Sequence, residues 1–226
     1  MSDEPDIEAL RKAYVADVTE VRRARPKARS VRQVETAQTS DMTVEDLDRI
    51  LIEAATFEST ARLLLDILGD QDAPAALRLV AIERLGGAAF QPTRFAPFRA
   101  EFVERLRDLA VSDDRELRHR ALDRLSLDDD PVAQQLLRES LEGSRKPLVP
   151  AATAARFLAR DEHGAAAPLF RELARTGAPR VREQALRALA TNPRSVELLA
   201  TISSDKSERT AVREIAAMSL KAASPE

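Results

Sequence analysis

The chain has no cysteine, no tryptophan, one tyrosine and only six glycines in 226 residues. Without cysteine there is no disulfide and no thiolate metal site. Aromatic residues make up 4%, so the core must be aliphatic and platforms for base stacking are few. No apolar run approaches the roughly 20 residues that a membrane helix requires. The first twenty residues show no apolar stretch behind a basic start, so no signal peptide is expected. A bacterial cytoplasm or a similar reducing compartment fits. The 35 Lys and Arg nearly balance the 38 Asp and Glu, leaving a formal charge of −3, with no global drive toward nucleic acid or acidic lipid. Alternation of period two is missing as well, which together with the scarcity of glycine points to an all-helical chain.

What the sequence does contain is a repeat. Leu77-Arg78-x-x-Ala81-Ile82-x-Arg84-Leu85 is followed by Leu117-Arg118-x-x-Ala121-Leu122-x-Arg124-Leu125. A degenerate copy, Pro150-Ala151-x-x-Ala154-Ala155-Arg156-Phe157-Leu158, comes next. The last two are Val181-Arg182-x-x-Ala185-Leu186-x-Ala188-Leu189 and Val212-Arg213-x-x-Ala216-Ala217-x-Ser219-Leu220. The aligned alanines, Ala81, Ala121, Ala154, Ala185 and Ala216, lie 40, 33, 31 and 31 residues apart. A period of that size is the mark of stacked two-helix units, each burying the face its neighbour leaves open.

Residues 1–40 stand apart from this array. Ile7, Leu10, Tyr14, Val18 and Val21 fall on one face of an expected amphipathic helix over 5–24. Arg22, Arg23, Arg25, Lys27, Arg29 and Arg32 follow with no acid among them, and Pro26 interrupts any helix there. This segment reads as a basic flexible linker, or alternatively as a nucleic-acid-binding arm. The repeat domain spans 41–226. It opens with Thr43-Val44-Glu45-Asp46, which has the form of a capping box, and Gly69-Asp70 ends its first stretch. The first copy runs from Pro74 to Gly86-Gly87. Residues 88–97 are expected as the longest connection, before a helix from about Pro97 to Val111. The second copy spans 114–126. Asp128-Asp129-Asp130-Pro131 caps the next helix, and Gly143 to Lys146 turns into the third copy at 147–160. Asn192-Pro193 caps a short helix ahead of the fifth copy.

The unit Thr176-Gly177-Ala178-Pro179-Arg180-Val181-Arg182-Glu183-Gln184-Ala185-Leu186-Arg187-Ala188-Leu189 resembles a HEAT-like repeat of the short, phycobilin-lyase type. That resemblance implies a right-handed alpha solenoid, an alpha-alpha superhelix of about five helix pairs, over roughly 43–222. It also implies a ladder between the early arginine of each second helix (Arg78, Arg118, Arg182, Arg213) and acids in the turns (Asp72, Asp113, Asp114, Asp205). Such arrays serve mostly as binding scaffolds, so a protein partner on the concave surface of the second helices is expected and no cofactor, the alternative being nucleic acid on a basic concave face together with the 22–32 arm. HEAT-like deoxyhypusine hydroxylases hold iron with paired His-Glu dipeptides, whereas this chain has two isolated histidines, His119 and His163. HEAT-like DNA glycosylases rely on aromatic residues including tryptophan, which is missing. A lyase or glycosylase is therefore a minor alternative.

Candidate partner contacts are the arginines with no role in the ladder, Arg180 and Arg187, with Arg182 left open. Phe90 and Phe95, expected in the long connection, are further candidates. Ala211, Ile215, Met218 and Ala222 form an apolar stripe where the fourth copy has Arg180, Gln184, Arg187 and Thr191. A terminal unit normally shows a polar outer face. The stripe is therefore expected to be covered by a second subunit in a homodimer, by residues 5–24 of a neighbour, or by a separate partner. A mildly apolar exposed edge is the simpler account.

Overall fold

The computed structural model describes residues 39–53, 56–161 and 164–223. Among the described residues there are eleven α-helices and no strand. In chain order they are α1 (Val44–Glu53), α2 (Phe57–Gly69), α3 (Ala75–Ala88), α4 (Pro92–Leu109), α5 (Arg115–Leu127) and α6 (Pro131–Glu142). They continue with α7 (Ala151–Leu158), α8 (Ala167–Thr176), α9 (Pro179–Ala188), α10 (Val196–Ser204) and α11 (Thr210–Ala223). No helix among them is long and apolar enough to cross a membrane. The expected amphipathic helix at 5–24 and the basic run from Arg22 to Arg32 lie outside the described residues.

The helix starts follow from local chemistry. The Thr43 hydroxyl accepts the Asp46 amide at 3.2 Å, while the Asp46 carboxylate accepts the Thr43 amide at 3.2 Å, which is the reciprocal box read from the sequence. Thr56 and Ser59 form a second such box on α2, with serine in place of the usual acid. Asp114 caps α5 through the amides of Glu116 and Leu117. Asp130 caps α6 through those of Val132 and Ala133. Gly143, at φ +79°, takes the left-handed conformation that ends α6.

Chain neighbours pack in pairs: α2 with α3, α4 with α5, α6 with α7, α8 with α9, and α10 with α11. The second member of each pair also touches the second member of the next. With α1 in front, the contacts run α1–α3–α5–α7–α9–α11 without a gap. Ala81, Ala121, Ala154, Ala185 and Ala216 sit on this row and are all fully buried. Small side chains at those points let adjacent helices approach closely, and the leucines around them fill the space between.

Three expectations about boundaries are corrected. α4 begins at Pro92 and not at Pro97, because Pro92 takes the first-turn position where a missing amide costs nothing. Pro97 is carried inside the helix on its exposed side, while Phe95, Phe98, Phe102 and Leu106 on the other side are buried. Gly86-Gly87 does not end α3, which continues to Ala88 with Gly86 buried in the packing. The third copy becomes helical only at Ala151, behind Pro150.

Candidate functional site

The side of the α1–α3–α5–α7–α9–α11 row facing away from the core carries the polar positions of the repeat. Aligned to the alanines, these are Val80 and Glu83 on α3, Arg120 and Asp123 on α5, Thr153 and Arg156 on α7, Gln184 and Arg187 on α9, and Ile215 and Met218 on α11. Along the first part of the row, adjacent helices are tied across this face by ion pairs. Arg84 on α3 meets Asp48 on α1 at 3.1 Å, and Arg120 on α5 meets Glu83 on α3 at 3.6 Å. Arg160, just past α7, meets Asp123 on α5 at 2.9 Å, and also donates to the Asp123 carbonyl and the Ser126 hydroxyl. Among the described residues no such pair crosses this face between α7 and α9, or between α9 and α11.

That second part of the face holds most of the sequence-predicted contacts. Arg180 is exposed on the first turn of α9. Arg187, two turns further on, is 52% exposed and reaches only the Glu183 carboxylate of its own helix, at 3.8 Å. Met218 on α11 is 71% exposed, with Ile215 half-buried beside it. Arg156 belongs to the same surface. Its guanidinium lies 5.2 Å from the centroid of the Phe157 ring. Its position in the repeat, equivalent to Arg187, was the signal available for it in the sequence.

Three predicted contacts are not on this surface. Phe95 is 1% exposed, inside α4, where it meets Phe102 edge-on at 5.7 Å and Phe98 at 6.4 Å. It is a core residue, because the segment expected as a loop is helical and turns this side chain inward. Arg182 is likewise committed to the structure. Its Nε donates to the Ala174 carbonyl at 2.9 Å, and its two Nη atoms reach both carboxylate oxygens of Glu208, the Nη1 contact being 3.1 Å. With 17% and 20% of their side chains exposed, this pair fastens α9 to the turn before α11. Phe90, by contrast, is 84% exposed in the turn between α3 and α4, far from the cationic part of the row in sequence.

The expected ladder takes a different form. Arg118 donates to three backbone carbonyls, Leu148 at 2.6 Å, Ser112 at 2.5 Å and Asp113 at 3.2 Å. It bridges to the turn before α7, which has no acid, by using a carbonyl there. Arg78 donates to the Leu68 carbonyl at 3.4 Å. Asp205 is occupied by the Ser207 amide and hydroxyl, whose hydrogen bonds hold its carboxyl below the usual range. The acid that meets Arg182 is Glu208 instead, held below the usual glutamate range chiefly by that guanidinium.

His119 lies edge-on to the buried Phe157 ring at 5.3 Å, and no group of three or more metal-ligating side chains occurs among the described residues. His163 lies outside them. A recess of about 380 Å³ on the opposite side is lined by Phe57, Phe98, Arg62 and Arg94. Its guanidiniums lie on its own rings, each 5.2 Å from a centroid, and Arg62 also pairs with Glu101 at 2.7 Å. No family model matches the chain, and no curated protein matches it in sequence.

Proposed function

We propose that this chain is a non-catalytic scaffold of HEAT-like type: a right-handed solenoid of about five helix pairs that docks another protein along the outer face of its second helices. The observation that carries this reading is the unbroken row α1–α3–α5–α7–α9–α11. One face of a row of helices offers a long surface in which every unit contributes the same positions, so the partner is chosen by side chains that vary while the frame stays constant. The cations and the apolar end of that face lie where the ion pairs across it stop, so docking there leaves the ties between neighbours intact.

A photoreactive amino acid placed at Arg187, on this face, and in a second variant at Val132, on α6, tests the reading. Val132 is 41% exposed, so both positions are reachable from solvent. Irradiation in native lysate is expected to give discrete protein adducts from position 187 and none from position 132. Equal labelling at both positions, or no adduct at 187, removes the proposal.

A further inference from the structure

We infer that the partner presents an acidic segment bearing one large aliphatic side chain, seated on α7, α9 and α11. This rests on the docking reading above and specifies its partner. The first three junctions of the row set the pattern: a cation on the outer face meets an acid on the adjacent helix at 3.1, 3.6 and 2.9 Å. At the next junction the cations of α9 remain but α7 carries no acid, and Arg187 has only Glu183 of its own helix, at 3.8 Å. Arg156, Arg180 and Arg187 face solvent, and the aligned positions on α11 are Ile215 and Met218. The complementary carboxylates must then come from outside the array. Arg180 and Arg187 stand seven residues apart on one helix, about 10 Å along its axis. Two acids spaced by two helical turns match that interval. Met218 lies one helix away, and its unbranched thioether adapts to a variety of aliphatic shapes.

Nucleic acid fits this surface less well. Phosphate-driven binding draws on many cations, whereas here Ile215 and Met218 occupy the continuation of the row. A second copy of the chain would bring the same cations to the same face.

The experiment is selection of random dodecapeptides displayed on phage against the whole chain, followed by affinity measurement with the selected synthetic peptides. Each is measured on wild type, on R180E/R187E, on M218E and on E83R, with thermal melting to show that all four fold alike. Enrichment of Asp or Glu together with one Leu, Ile, Met or Phe is expected. Affinity should fall on the order of tenfold or more in R180E/R187E and more modestly in M218E. Peptides without acidic bias that ignore the charge reversal, yet are lost in E83R, overturn the acidic partner while leaving docking on the outer face standing. Selected peptides insensitive to all of these variants, or no peptides at all, overturn both. A fluorescein-labelled DNA duplex that binds wild type and is lost in R180E/R187E would replace the acidic protein with nucleic acid. A concentration-dependent dimer in sedimentation that disappears in M218E would replace it with a second copy.

Discussion

The two ends of the row use the same repeated helix and tie it to its neighbours in opposite places. From α1 to α5 the units are large, with an 18-residue α4 whose Phe95, Phe98 and Phe102 meet Phe57 of α2 in one aromatic cluster. Adjacent helices there are bridged on the outside, by Arg84–Asp48 and Arg120–Glu83. From α9 to α11 the units are short, α10 having nine residues, and the tie is internal, Arg182 to Glu208. An ion pair on the outer face neutralises that face. An ion pair sunk between helices leaves the outer face free for other chemistry. The location of the tie, more than the repeat itself, decides which part of the array is open to a partner.

The sharpest way to break this comparison is at the aromatic cluster. Phe95→Ala removes a fully buried ring and should cost about 3–5 kcal/mol. Phe90→Ala, five residues earlier and exposed, should stay within about 0.5 kcal/mol. Urea denaturation of the two variants measures both. Similar losses would mean that the two phenylalanines share an environment, and the boundary between core and surface at the start of α4 would be wrong.

Asp130 ties the larger units inside the packing. Its Oδ1 caps α6, while its Oδ2 accepts Arg107 at 2.7 and 3.1 Å. The hydrogen bond from Arg107 raises that guanidinium's pKa further. Asp130→Ala removes a cap and leaves Arg107 without this partner, and should cost about 1–3 kcal/mol. Asp130→Asn, which keeps the cap, should cost less. Equal melting temperatures for the two variants would show that the cap contributes nothing measurable.

The difference between these two sites also shows what could be read from the chain alone. The five aligned alanines predicted the row, because a spacing of 31 to 40 residues and a fixed pattern around a small residue reflect one packing constraint repeated. Asp130 before Pro131 was legible as a cap, since both residues act within a single turn. The start of α4 was not, because Pro92 and Pro97 both suit a first turn, and only the burial of Phe95 by helices distant in sequence selects the earlier one. Glu208 was missed for a similar reason. Asp205 is nearer the expected ladder position, but a short acid followed two residues later by serine closes its own turn. The longer Glu208 side chain is the one left to reach Arg182. The exposure of Arg180, Arg187 and Met218 was legible because these residues break the pattern of the repeat at its polar positions.

Acid separates the two kinds of tie. Glu208 is held below its ordinary pKa by Arg182. A carboxylate depressed in the folded state contributes stability that is present above its unfolded value, about 4.3, and is lost as pH falls through the folded value. Wild type should therefore melt above Glu208→Gln at neutral pH, with the gap closing as pH drops below about 4.3. Asp46, Asp70 and Asp205 are lowered too, while Asp66 is raised by burial. These groups are common to both proteins and cancel in the difference. A gap that stays constant from neutral pH into acid would show that the Arg182–Glu208 pair gives no pH-dependent support to the α9–α11 junction.

The smallest effect is expected at the outer bridges, and it carries the comparison furthest. Glu83 and Arg120 are separated by 3.6 Å with about half of each side chain in solvent. An exposed pair of this kind couples by about 0–1 kcal/mol, and less in high salt. A double-mutant cycle with Glu83→Ala and Arg120→Ala should return a value in that range that shrinks further when salt is added. Bridges that weak do not hold the helices together, since buried alanine and leucine layers already do so. Their consequence is to cancel charge on the part of the face where they occur. If the cycle instead gives a coupling of several kcal/mol that salt leaves unchanged, the outer ion pairs would be structural. The exposed arginines of α7 and α9 would then mark loosely tied junctions and not an open docking surface.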